Sequence, residues 1–238
     1  MIASLTFTYG DNRFDIFKYK SKDRFDQQLR NSIDLNLLVF HNSPSSYVKR
    51  VKDSKLLDNF NFTFATIDGN YPSAFKQSLY YLKNRGVKKL IFMQDDVYSC
   101  TKNQDEINEL ISTIKDNDLP YINIEMVCND PARLPVRELK HFNIIDTDTQ
   151  YYRKDNGWPF DDSPYYSTLD FALEKIYDEN YFSYPDIWSA EWYLRHKFNQ
   201  YNIPRYVTDK GFFRRVNFVG RHSHNKEAEI KFLEENFT

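Results

Sequence analysis

The sequence predicts a single α/β domain, a mostly parallel sheet flanked by helices, and three observations predict it. Strand-like and helix-like stretches alternate from Ser4 to Cys128, the pattern of right-handed crossovers between parallel strands. Leu90, Ile91, Phe92 and Met93 form an apolar run with no alternation, as a strand buried on both faces reads. Acidic and turn residues collect where the runs stop, and open α/β sheets bind ligands outside the carboxyl ends of their strands. The 238 residues fit one domain spanning 1–238, with a regular half at 1–130 and a less regular half at 131–238.

Ser4 to Tyr9 alternates polar with apolar residues before the Gly10-Asp11-Asn12 turn, predicting the first strand. Phe25, Leu29 and Ile33 make one stripe of a helix over Asp23–Ile33. Leu35 to Phe40 predicts a second strand, ended by His41-Asn42-Ser43-Pro44, and Tyr47 to Leu57 a helix. Phe60 to Ile67 alternates again and stops at Asp68-Gly69-Asn70. Pro72 to Asn84 has helix chemistry, with Pro in the first turn and Gly86 past the end. The central strand ends at Gln94-Asp95-Asp96. Asn103 to Lys115 predicts a helix and Tyr121 to Val127 a strand. Pro131 to Pro164 reads as a long irregular loop of the kind that carries function. Helices are expected at Leu169–Tyr177, Ile187–Phe198 and Glu227–Asn236, and short strands at Tyr206–Val207 and Phe212–Phe218.

Composition narrows the function. With 32 Lys and Arg against 34 Asp and Glu, the basic excess of a dedicated nucleic-acid binder is missing. No stretch has the length of a membrane span, and no charged leader precedes an apolar segment at the N-terminus. Cys100 and Cys128 make neither a disulfide framework nor a zinc site. These features lead to the expectation of a cytoplasmic protein without a membrane span or a nucleic-acid partner.

Tyr9-Gly10-Asp11, His41-Asn42, Asp68-Gly69-Asn70 and Gln94-Asp95-Asp96 all fall at carboxyl ends of strands and would line one crevice. Asp, Asn and Gly are also ordinary turn residues. The acidic pair suits a hard divalent cation such as Mn²⁺ or Mg²⁺, which would in turn hold a diphosphate; it equally suits a polar turn that caps the next helix. No GxGxxG or GxxxxGK[ST] loop is present, which argues against dinucleotide-binding dehydrogenases and P-loop enzymes.

On these residues the first half resembles the glycosyltransferases of the GT-A fold, which transfer a sugar from a nucleotide diphosphate donor. The family's SAARNxG-like helix is matched by Ser73-Ala74-Phe75-Lys76-Gln77-Ser78, and its acidic DxD-type motif by Gln94-Asp95-Asp96, which lacks the first carboxylate. The resemblance spans Ser4 to Cys128. It implies a metal-dependent glycosyltransferase, with residues 1–130 holding a UDP- or GDP-sugar and 131–238 facing a glycan or other hydroxyl acceptor. It further implies Asp96 as metal ligand and Asp95 on the ribose or the metal, with Thr8, Tyr9, Asp11, Asp68 and Lys76 around the nucleotide.

In the second half, Ala190-Glu191-Trp192-Tyr193-Leu194 resembles the family's acidic motif on an acceptor-side helix, with Trp192 in place of the second acid. Glu191 is the first candidate for a catalytic base and Asp186, an expected N-cap, the second; Asp161 and Asp162 are further ones. Glu191 also fits a solvated helix position. His222 and His224 share one side of an extended segment and would complete the metal site, or lie exposed. Lys210, Arg214, Arg215 and Arg221 are candidate cations for the leaving diphosphate. Trp188 and Trp192 are spaced as a helical core stripe, so at least one is expected in the core. Two other readings stand beside the transferase. One is a nucleotidyltransferase, whose Gly-rich, Lys-containing signature is missing from Met1 to Phe14, and the other a non-catalytic carbohydrate- or nucleotide-binding module.

Overall fold

Four parallel strands form one flank of the sheet, in the order β3 (Phe62–Ile67), β2 (Leu35–His41), β1 (Ile2–Thr8) and β4 (Lys89–Phe92). The computed structural model describes residues 1–10, 13–99, 103–116, 120–124, 144–146, 151–154, 164–201, 203, 206–208, 212–216 and 226–237. Beyond β4 the sheet continues through β9 (Tyr165–Thr168), β6 (Tyr121–Asn123), β10 (Tyr206–Thr208), β8 (Tyr151–Lys154) and β7 (Ile144–Asp146). Among the described strands of this sheet, only β8 and β9 run against the others. The sheet is therefore mostly parallel and flanked by helices, as the alternation predicts. Among the described residues no helix is long and apolar enough to cross a membrane.

β9 is the main departure from the sequence expectation, which has a long loop ending at Pro164 and then a helix. It inserts antiparallel between β4 and β6. Tyr165 joins the core on one face of the sheet with Phe92, and Tyr166 joins the core on the other face with Ile91. With both faces covered, the strand carries no alternation to betray it.

The helices are α1 (Phe14–Lys20), α2 (Arg24–Asn31), α3 (Ser45–Asp53), α4 (Tyr71–Asn84), α5 (Gln104–Asp116), α6 (Leu169–Phe171), α7 (Glu179–Ser183), α8 (Ile187–Gln200) and α9 (Lys226–Phe237). A π-helical turn, Ala172–Ile176, extends α6. The sequence reading has no counterpart for α1 and α7. α4 begins where Asn70 accepts a hydrogen bond from Ser73 N at 2.8 Å and ends before Gly86, whose φ of 77° favours glycine. Asn70→Ala is expected to lower stability by about 1 kcal/mol, read as a shift in a chemical denaturation midpoint at unchanged slope.

Trp188 and Trp192 correct the core expectation, being 50% and 54% exposed. The buried stripe of α8 is Ala190, Leu194 and Phe198. Two residues along a helix turn the side chain by about 200°, so packing on this stripe turns both indoles outward.

β1 departs from its pattern in an instructive way. Leu5 and Phe7 enter the core as alternation predicts, yet Ser4, Thr6 and Thr8 on the other face are also buried. Arg30 of α2, fully buried, donates from Nη1 to Ser4 Oγ at 2.9 Å and Thr6 Oγ1 at 3.2 Å. Its Nε donates to Asp26 Oδ1 at 2.9 Å, and Lys20 pairs with Asp26 Oδ2 at 2.6 Å. Asn36 on β2 accepts from Ser4 Oγ at 2.7 Å and donates to the Arg30 carbonyl at 2.8 Å. These bonds offset most of the cost of burying a polar face; Arg30 Nη2 has no hydrogen-bond partner among the described residues, and the guanidinium lies 4.7 Å from the centre of the Phe62 ring.

Candidate active site

After β4 the chain continues along the end of β1, with Met93 N donating to Leu5 O at 3.1 Å and Asp95 N to Phe7 O at 3.3 Å. This places Gln94, Asp95 and Asp96 beside Thr8 and Tyr9, at the strand ends where the sequence reading expects the crevice. A short strand, β5 (Val97–Ser99), follows at once and pairs antiparallel with β11 (Phe213–Arg215). That pairing sets Arg215 opposite Val97, and Val216 N donates to Asp96 O at 2.8 Å. Residues 213–216 of the C-terminal third thus lie against the chain that leaves β4.

Arg13, which the sequence reading did not single out, organises the site. Its Nη1 donates to Asp95 Oδ1 at 2.7 Å and to Asp96 Oδ2 at 3.1 Å. Its guanidinium lies 4.8 Å from the centre of the Tyr9 ring, whose hydroxyl donates to Gln94 Oε1 at 3.3 Å. Arg215 Nε stands 3.7 Å from Asp96 Oδ1. The side chains of Asp95 and Asp96 are 0% and 10% exposed, so these charges interact with little solvent screening.

Burial pushes the Asp95 carboxyl up to about 6, against the lowering effect of Arg13 and with repulsion from Asp96 adding to it. Burial acts against the Arg13 charge too, but the two carboxylates outweigh it and hold the guanidinium protonated. Thr8 bonds the Tyr47 hydroxyl at 2.8 Å and also lowers the Asp95 carboxyl.

The other expected residues are placed as follows. Asp68 is exposed at the end of edge strand β3, on the same edge of the sheet as Asp96 but about 14 Å away in strand spacing. Its turn is clamped by Asn42, which accepts from Gly69 N at 2.9 Å and donates to Gly69 O at 2.8 Å. His41 adds a ring contact to the same carbonyl at 3.0 Å. Lys76 pairs with Glu179 of α7 at 2.6 Å, a pair whose carboxylate is 74% exposed. Lys76→Ala is therefore expected to change stability by less than about 1 kcal/mol, measured by chemical denaturation.

Asp186 is the expected N-cap of α8: Ser189 N and Oγ donate to its two oxygens at 3.0 and 2.9 Å, and these bonds lower its carboxyl. Glu191 lies beside Arg195, 3.9 Å away one turn on. Asp11, His222, His224, Asp161, Asp162, Lys210 and Arg221 lie outside the described residues, as does the side chain of Arg214.

Two carboxylates at a strand end have the oxygen chemistry of a hard-cation site. One oxygen of each, Asp95 Oδ1 and Asp96 Oδ2, accepts from Arg13 Nη1, whereas Asp95 Oδ2 and Asp96 Oδ1 are buried without a hydrogen-bond partner among the described residues. Among the described residues no group of three His, Cys, Asp or Glu side chains is arranged to take a metal ion. As described, the strand end holds a guanidinium at the point that Asp95 Oδ1 and Asp96 Oδ2 share.

No family model matches the sequence, and no curated protein matches it. Solved structures do match in fold. S. aureus TarS 1–349 in complex with UDP-GlcNAc superposes with a TM-score of 0.55 at 13% identity, over 99% of this chain and 66% of that one. A second TarS 1–349 structure is spanned over only 60% of its length. UDP-glucose pyrophosphorylase complexed with UDP-glucose gives 0.54 at 13% identity, over 99% and 100% of the two chains. A CMP:2-keto-3-deoxy-manno-octonic acid synthetase complexed with CTP gives 0.56 at 10%, over 98% and 99%. The chain shares with them a Rossmann-like, GT-A-like α/β fold.

Proposed function

We propose that the chain is a nucleotide-sugar-dependent transferase, and specifically a glycosyltransferase that moves a sugar from a nucleoside diphosphate to an acceptor hydroxyl. The observation that carries this reading is the Arg13, Asp95, Asp96 and Arg215 cluster at the carboxyl end of β4 beside β1. It stands where folds of this class bind ligands, and the similar structures hold UDP-GlcNAc, UDP-glucose and CTP.

In this reading Thr8 and Tyr9 border the nucleoside, and Arg13 and Arg215 meet the diphosphate. Fixed positive charge stabilises a leaving diphosphate as its negative charge develops. Glu191 is the base proposed to take the acceptor proton in an inverting transfer; Asp186 caps α8 through two hydrogen bonds from Ser189. No step is routed through a divalent cation in this reading, in which Arg13 stands between the two carboxylates. The glycosyltransferase reading is preferred to a nucleotidyltransferase because Met1 to Phe14 lacks a Gly-rich, Lys-containing loop.

The test is a panel of UDP-, GDP- and CMP-sugars incubated with the protein, with release of nucleotide followed with and without added acceptors. Release of UDP or GDP from one donor is the expected result. Exchange of pyrophosphate into the nucleotide sugar would favour the nucleotidyltransferase. Absence of both turnover and nucleotide binding across the panel would contradict the proposal.

A further inference from the structure

We infer that Arg13 serves as the site's built-in counter-cation, so that this chain binds a nucleoside diphosphate without a divalent metal, contrary to what its acidic strand end suggests. The inference rests on the nucleotide-sugar reading and adds to it the source of positive charge.

A single nitrogen, Arg13 Nη1, bridges Asp95 and Asp96 at 2.7 and 3.1 Å. A cation bridging Asp95 Oδ1 and Asp96 Oδ2 would need that same position; of the two remaining oxygens, both buried and without a hydrogen-bond partner among the described residues, Asp96 Oδ1 faces Arg215. Among the described residues two cations face the acid pair, Arg13 and, across 3.7 Å from Asp96, Arg215. Bringing a dication between Asp95 Oδ1 and Asp96 Oδ2 requires Arg13 to leave a place where its side chain is 10% exposed, and a guanidinium parted from its carboxylates inside the protein is strongly disfavoured.

The position of Arg13 is also fixed from behind. It stands at the N-terminus of α1, next to the Gly10 turn that closes β1, with Arg13 N donating to Gly10 O at 3.1 Å and the Tyr9 ring against its guanidinium. Arginine has five donor N–H groups in a rigid fork. With one nitrogen committed to both carboxylates, Nε and Nη2 lie outside those two bonds, and a guanidinium fork matches phosphate geometry. In the proposed complex the acid pair orients Arg13, and Arg13 with Arg215 holds the diphosphate.

The experiment uses the full chain and three probes, UDP, GDP and Mn²⁺. Calorimetric titration of wild type with UDP should give the same affinity, within about twofold, in EDTA and in Mn²⁺. Titration with Mn²⁺ alone, followed by the electron paramagnetic resonance signal of the free ion, should show no uptake. Arg13→Gln should lose about tenfold to a hundredfold in metal-free UDP affinity, the range for a charge-assisted hydrogen bond, and should gain Mn²⁺ uptake at the freed carboxylates. Arg13→Lys should keep more of the UDP affinity than Arg13→Gln.

A wild-type affinity for UDP that rises more than tenfold with Mn²⁺ would overturn the inference, as would equal Mn²⁺ uptake by wild type and Arg13→Gln. If GDP and UDP both fail to bind wild type under either condition, the nucleotide-sugar reading falls, and the Mn²⁺ titration still decides what Arg13 occupies. The wild-type arms decide the question even if the variants do not fold.

Discussion

Arg30→Ala is expected to destabilise the protein by about 3–5 kcal/mol, the cost of removing one partner of a buried ion pair. The substitution leaves Asp26 buried with Lys20 as its remaining cation and strips Ser4 and Thr6 of their donor. Its pH dependence has a defined sign. Burial by itself would raise the Asp26 carboxyl, but Arg30 and Lys20 outweigh it and hold it below the ordinary carboxylate range. A depressed folded value contributes stability that is present above the unfolded value of about 3.9 and is lost as pH falls through the folded one. Without Arg30 the carboxyl takes up its proton at higher pH, so the acid-unfolding midpoint of the variant should move upward. Denaturation curves at neutral pH and between about pH 5 and 2 measure both effects. A loss under 1 kcal/mol would mean that this network is not a closed unit.

Arg215→Ala is expected to weaken UDP binding by about tenfold to a hundredfold and to leave uridine binding unchanged. Arg215 reaches the acid pair only through the pairing of β11 with β5, and its side chain is 22% exposed, positioned to meet an anion as well as Asp96. A point charge that acts on the diphosphate discriminates between nucleotide and nucleoside; a residue that merely holds the strand pair together would weaken both or neither. Parallel calorimetric titrations with UDP and uridine make the distinction. Equal losses for the two ligands would remove Arg215 from the diphosphate site.

The parallel half of the fold was legible because each strand there leaves a local mark. Leu90 to Met93 is too short and too apolar for anything but a covered strand, and Asn70, Pro72 and Gly86 punctuate one helix at both ends. β9 left no such mark, since its pairing with β4 and β6 is set by residues more than forty positions away, and Tyr165 and Tyr166 are buried on opposite faces. The short helix α1 was missed because its seven residues give barely two turns of periodicity.

The site divides in the same way. Asp95, Asp96 and Tyr9 were visible as residues at strand ends, and the topology does bring them together. Arg13 was not, although its place three residues after Gly10 in the first turn is the available signal. What makes it part of the site is a contact across 82 residues to Asp95, which no local pattern encodes. The tryptophans show the converse error: an i, i+4 spacing identifies a stripe but not which way it faces, and Ala190, Leu194 and Phe198 took the core.

The most direct measurement is a crystal structure of the chain with UDP-GlcNAc or, failing turnover-stable density, UDP. The account predicts the diphosphate at the carboxyl end of β4, within hydrogen-bond distance of Arg13 and Arg215, with the nucleoside against Thr8 and Tyr9. Density for the nucleotide elsewhere on the protein, with the Arg13 bridge to Asp95 and Asp96 untouched, would contradict it.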